Sequence, residues 1–133
     1  MTYFISGHRD LTQEEFDKHY IPTLENILKN NPMADFVVGD WEGCDQMALD
    51  WLISNLNYPF VYVYYVDNVR VTYCGEQLND FYNVILRPCT SYDDCDSRMT
   101  QDSDSDFDVA WIRPGREDSH TAMNIKRRYY GEI

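Results

Sequence analysis

The sequence predicts an α/β protein: a Rossmann-like parallel sheet with helices on both faces, built as a single domain over residues 1–133. Two observations carry this expectation. Short apolar runs alternate along the chain with stretches of helical periodicity. The runs are apolar throughout rather than at every second position, as strands buried on both faces are.

Residues 2–6 are the first such run, closed by Gly7. Thr12 and Glu15 form a T-x-x-E capping box, and Phe16, Tyr20, Leu24, Ile27 and Leu28 keep helical spacing behind it. Pro22 should kink this stretch or split it into two helices, and Asn30-Asn31-Pro32 stops it. Residues 35–38 make a second strand that ends in Gly39-Asp40. A helix then begins near Gly43, with Cys44, Met47, Ala48, Trp51, Leu52 and Leu56 on its apolar face. Pro59 precedes FVYVYYV, a β-branched and aromatic run typical of a central strand. In residues 67–90, NVRVTYC and FYNVIL each fit a strand or an extended loop. Residues 91–101 read as a polar helix and 107–112 as an apolar strand broken by Pro114-Gly115. Ser119 or Thr121 opens a last helix that carries Met123, Ile125 and a basic cluster. No internal repeat or linker interrupts the series.

Composition narrows the function. The formal net charge is -12, and duplex nucleic-acid binding normally needs a basic face. The remaining base collects near the C-terminal end, in Arg113, Arg116, Lys126, Arg127 and Arg128, which suits a small anion better than a polymer. Cys44, Cys74, Cys89 and Cys95 form no CxxC pair, and no histidine stands at zinc-finger spacing, so reduced thiols and no metal or cofactor are expected. DSDSDFD, residues 102–108, alternates acids as a calcium loop does. It has Phe107 where that loop needs glycine and Arg113 where it needs glutamate, so a solvated turn is expected, with Asp104 and Asp106 bonding to backbone amides. No apolar run is long enough for a membrane span and no basic-then-apolar leader opens the chain, so a cytoplasmic protein without membrane contact is expected.

Parallel sheets bind ligands beyond the carboxyl ends of their strands. Three segments fall there. In Ser6-Gly7-His8-Arg9, glycine lets a ligand approach the backbone, the serine can donate to phosphate, and arginine adds a charged fork. In Gly39-Asp40-Trp41-Glu42-Gly43-Cys44-Asp45, two glycines flank a strand-to-helix turn. Its acids suit ribose hydroxyls, and Trp41 suits a stacked base. In the third segment, which runs from Arg113 through Pro114, Gly115, Arg116, Glu117, Asp118, Ser119 and His120 to Thr121, a capped helix start beside Arg116 makes a phosphate seat. Each segment also fits a plain turn or cap.

In order, the strand-S-G-H-R, the strand-G-D-x-x-G-C-D, Met99-Thr100 with Ser103-Asp104 before FDVAWIRPG, and Ser119-x-Thr121 resemble the SLOG superfamily. This is the Rossmann-like group that includes the cytokinin-activating LOG phosphoribohydrolases and the Smf/DprA proteins. The resemblance is closest to small stand-alone nucleotide-binding or deoxyribosyltransferase-like members, and it leaves out about residues 67–90. It implies a ligand with a nucleotide or ADP-ribose-like core. Gly7, His8 and Arg9 would face that ligand, Gly39, Gly43 and Asp45 would line its phosphate or ribose, and Ser119 and Thr121 would hold phosphate. LOG enzymes carry P-G-G-x-G-T-x-x-E, whose glutamate serves hydrolysis. Here Asn124 stands in its place, and an amide is no general base.

The sequence therefore predicts a binder of a nucleotide or of an ADP-ribose or cyclic-nucleotide messenger, acting as a sensor or sequestering protein and leaning to a homo-oligomer. The alternative is an N-glycosidic-bond hydrolase or (deoxy)ribosyltransferase drawing its acids from Asp40, Glu42, Asp45 or Glu117. A third reading is an acidic protein that docks a basic partner.

Overall fold

The computed structural model describes residues 1–55, 60–73, 75–78, 81, 83–105 and 107–130. Leu56, Pro59, Cys74 and Asp106, named above, lie outside them. The chain runs β1 (Thr2–Ser6), α1 (Gln13–His19), α2 (Ile21–Asn30), β2 (Asp35–Val38), α3 (Cys44–Asn55), β3 (Val61–Val66), β4 (Val84–Cys89), α4 (Tyr92–Asp102), β5 (Val109–Ala110) and α5 (His120–Tyr130). All five strands are parallel, in the order β4-β3-β2-β1-β5. This is the Rossmann-like α/β architecture that the alternating runs predict. The sheet grows from β1 through β4 in one direction and then places β5 on the other side of β1.

Strand alternation divides the core. Tyr3, Ile5, Phe36, Val38, Val61 and Val63 face a cluster with Phe16, Tyr20 and Leu24 from the α1–α2 segment and Cys44, Ala48 and Leu52 of α3. Phe4, Val37 and Tyr64 point the other way, onto Cys95 and Met99 of α4. Thr12 and Glu15 form both halves of the capping box of α1. Pro22 divides the first helical stretch as expected, because a proline is tolerated in the first turn of a helix but not in its interior.

Two expectations, the length of the last strand and the burial of β3, need correction, and the segments left open between residues 67 and 90 take definite forms. The strand predicted over 107–112 is only Val109–Ala110, because side chains take over the backbone groups that follow. Trp111 N–H donates to Tyr20 Oη at 3.0 Å and Arg113 N–H to His8 Nε2 at 2.9 Å. Residues 68–73 of NVRVTYC form a loop that makes, among the described residues, one bridge, Tyr73 to Glu76, and the strand within the FYNVIL region starts only at Val84 and runs on through Pro88 to Cys89. That proline is tolerated because β4 is an edge strand. The crossover between β3 and β4 packs on α3 through Val71 and Leu78, with Gln46 Nε2 donating to Thr72 O at 2.6 Å. β3 is fully buried only at Val61, Val63 and Tyr64. Finally, α5 buries Thr121, Ala122 and Asn124 and exposes Met123.

Tyr20 ties the switch point together. Its buried hydroxyl donates to Ser6 O at 2.8 Å and accepts from Trp111 N–H, so it bridges β1 to the chain beyond β5. A Cβ on Gly7 would overlap this hydroxyl and Cys44 Sγ. Tyr20→Phe keeps the ring and strands a buried carbonyl and a backbone N–H; it should cost about 1–3 kcal/mol in urea unfolding. An unchanged midpoint would show the bridge to be idle.

Candidate functional site

The carboxyl ends of β1 and β2 open into one crevice of about 640 Å³ between the sheet, α4 and the start of α5. That is the size range of small-molecule sites. Segments 6–10, 39–45 and 116–124 all reach it. Ser6, Gly7, His8, Arg9, Gly39, Asp40, Trp41, Glu42, Asp45, Arg116, Ser119, His120 and Thr121 line it. Gly43 lines a smaller hollow with Gln46, Arg70 and Val71 instead. Arg113, Gly115 and Glu117 stand outside both.

The crevice has an apolar wall and a polar floor. The wall is Phe4, Tyr64, Cys95 and Met99. The floor is a row of buried polar side chains: Ser6, Asp45, Thr121 and Asn124. Arg127 Nη1 donates to Asn124 Oδ1 at 2.6 Å, which turns the amide so that Nδ2 faces Ser6 Oγ at 3.4 Å. Asp45 accepts the Trp41 N–H on Oδ2 at 3.1 Å. No described residue reaches its Oδ1. The Thr121 hydroxyl likewise has no partner among the described residues.

The glycines explain how these groups come so close. A Cβ on Gly39 would lie 2.7 Å from Asp45 Oδ2. Gly43 has φ +78°, and a side chain there would collide with the Arg9 carbonyl. This lets Cys44 N–H donate to His8 O at 3.2 Å, so α3 starts hard against the end of β1.

Charge is arranged differently from the sequence expectation. The C-terminal bases do not form one positive seat. Arg113 grips Glu15 with two nitrogens, at 2.6 and 3.0 Å, and Asp10 with a third. This pairing and the Thr12 amide hold the Glu15 carboxyl down to about 2. Arg116 pairs with Asp10 at 2.6 Å, and Arg128 with buried Asp108 at 2.8 Å. Arg9 remains 60% exposed, with only a 3.7 Å contact to Glu42. Its guanidinium lies 3.8 Å from the Trp41 ring centre and that of Arg70 lies 3.4 Å from it, so arginines already cover the indole proposed to stack a base.

Of the acids, Asp40 is bound by Arg70 through its N–H and guanidinium. Glu117 accepts the Gly115 N–H outside the crevice. Burial, with Arg113 beside it, lowers the pKa of His8, so the ring is neutral and its Nε2 accepts. Burial pushes Asp45 up to about 7. Asp40 and Asp96 add to this, and the Trp41 amide and Arg70 oppose it.

Sequence reasoning missed the α4 side of the crevice. Tyr92, Cys95, Asp96 and Met99 line it at i, i+3, i+4 and i+7, a helical face that was legible in the sequence. Burial raises the Asp96 carboxyl, and His120 Nδ1 stands 3.4 Å from it. Asp93, Asp96 and His120 offer ligand atoms within 4.8 Å of one another at the rim.

Asp45 makes stability depend on pH. Its carboxyl stays protonated in the fold to about pH 7 and ionises near 3.8 when the chain unfolds. Across that window the folded state holds the extra proton, so stability falls as pH rises. Asp45→Asn removes the effect. Its advantage over the parent should grow between about pH 4 and 7, to on the order of 4 kcal/mol, and then level off. Urea midpoints from pH 4.5 to 8 check this, and a difference that does not vary with pH contradicts it.

The chain matches no family model, and no curated protein or solved structure is significantly similar to it.

Proposed function

We propose that this protein binds a nucleotide or nucleotide-derived ligand, of the ADP-ribose or cyclic-nucleotide type, in the crevice at the strand ends. It would act as a sensor or sequestering protein of SLOG-like kind. The observation that carries the reading is convergence: three segments far apart in sequence line one crevice whose floor keeps unused hydrogen-bonding groups. Ser119 Oγ takes the Ala122 N–H at 3.2 Å, and the amides of His120 and Thr121 precede it at the helix start. Free amides at a helix N-terminus, with Arg9 and Arg116 alongside, support a phosphate seat.

Cleavage or transfer of an N-glycosidic bond is a second reading. Asp45 and Asp96 favour it, as two crevice carboxyls that burial raises above the usual carboxylate range. The acidic-partner reading gives the crevice no role.

Melting the protein with AMP, ADP, ADP-ribose and cyclic AMP tests the proposal. A ligand at a hundredfold excess over its Kd should add about 2.7 kcal/mol. Chromatography of the same samples separates the readings: intact ligand means binding, and free base or exchanged sugar means chemistry. Arg9→Ala should abolish the ligand shift and leave the apo melt unchanged, because Arg9 is exposed. The proposal fails if no member of the panel moves the melt.

A further inference from the structure

We propose that Asp45 is the residue with which the crevice reads a sugar, by accepting hydrogens from a vicinal pair of hydroxyls. For a nucleotide these are the 2′ and 3′ hydroxyls of ribose. This deepens the nucleotide reading in its ADP-ribose form, since a cyclic nucleotide has no free 2′,3′ pair, and there it rests on that reading.

Three independent observations converge on Asp45. The first is room. Gly39 leaves a gap where any other residue would place a carbon 2.7 Å from Asp45 Oδ2. The second is vacancy. Asp45 is nine-tenths buried and lines the crevice, and among the described residues it has one hydrogen bond, accepted on Oδ2 from the Trp41 amide. A buried carboxyl with an unused oxygen costs stability unless a ligand completes it. Arg70 does not complete it, because Asp40 already binds Arg70 at 2.9 Å.

The third is company. Thr2, Tyr3 and Phe4 pair with Asp35, Phe36 and Val37, and this register carried forward two residues sets Ser6 beside Gly39. Ser6 in turn meets Asn124 of α5. Asp45, Ser6 and Asn124 thus form one row across the strand ends. It combines a strong acceptor, a hydroxyl that both donates and accepts, and an amide donor. Such a row matches a polyol, whose hydroxyls donate and accept in turn. Phosphate fits it poorly, since an ionised phosphate offers only acceptor oxygens to a carboxyl that itself offers acceptors and that repels it once ionised. The bases stand apart at the rim, in Arg9 and Arg116, so a sugar phosphate would lie with its sugar on the floor and its phosphate toward the rim.

The test titrates the full chain with ribose 5-phosphate, 2-deoxyribose 5-phosphate and ADP-ribose. The reporter is the Trp41 backbone amide resonance, which senses Asp45 Oδ2 directly. Ribose 5-phosphate and ADP-ribose should move it, and the 2-deoxy sugar should bind about 10- to 100-fold more weakly. Asp45→Asn should erase that preference while still melting cooperatively. Should that variant fail to fold, Gly39→Ala, which crowds the same carboxyl, should erase the preference in its place. Equal affinity for the two sugar phosphates, or a preference that survives Asp45→Asn, overturns the assignment; ADP-ribose binding then still upholds the nucleotide reading. Discrimination between the sugar phosphates without ADP-ribose binding upholds Asp45 and sinks the nucleotide reading. No response to any of the three overturns both.

Discussion

The contact on which the rest depends is the junction of β1, α3 and the chain after β5. Three backbones meet there with little room. Gly7 lies against Cys44 and Tyr20, Gly43 against the Arg9 carbonyl, and the Tyr20 hydroxyl spans Ser6 and Trp111. A two-residue β5 has too short a ladder to fix the chain that follows it. Side chains do so instead: Tyr20 holds Trp111, and neutral His8 holds Arg113. Because these clamps stand on the α1–α3 side, the opposite side of the strand ends remains open. The crevice is the volume they leave between the sheet, α4 and α5.

The polarity of that volume follows from the same geometry. A helix packed on a sheet normally buries its apolar stripe. α5 instead buries Thr121, Ala122 and Asn124 and exposes Met123, because its inner face looks onto the crevice floor rather than onto strand side chains. α4 divides its inner face, with Met99 and Cys95 on the sheet and Asp96 at the rim. The arginines that look basic in sequence serve as struts: Arg113 braces α1 through Glu15, and Arg128 closes the turn after α4 through Asp108 and Ser103.

How far the sequence speaks follows from what each signal measures. The capping box at Thr12, the break at Pro22 and the glycines at 39 and 43 are local, backbone-level signals, and each has its expected structural counterpart. The three strand-end segments were legible because parallel topology alone sends strand ends to one edge. The length of β5 was not, because Tyr20 is 91 residues from Trp111 and no local pattern records that bond. Nor was the neutralisation of Arg113 by Asp10 and Glu15, about a hundred positions away. Residues 67–83 carry β-branched and aromatic residues for a different reason from a strand: Val71 and Leu78 cover α3. Hydrophobicity records burial, and burial by a loop reads the same as burial in a ladder.

Under the nucleotide proposal, an acidic protein must separate its own charge from that of the ligand within one site. Here the separation runs along the crevice. Asp45 is deep and burial raises its carboxyl to about 7, while Asp40 is matched by Arg70, so the floor carries less charge than its acids alone suggest. Arg9 and Arg116 stand at the mouth, where water screens the surrounding acids. Recognition in such a site is short-ranged, because the field of a chain with net charge -12 works against an anion at a distance. What favours the ligand is contact: the free helix-start amides, the two arginines and a polar row with open valences. Under the nucleotide proposal a ligand gives the buried Asp45 carboxyl, which has one hydrogen bond among the described residues, the further partner that the fold does not supply.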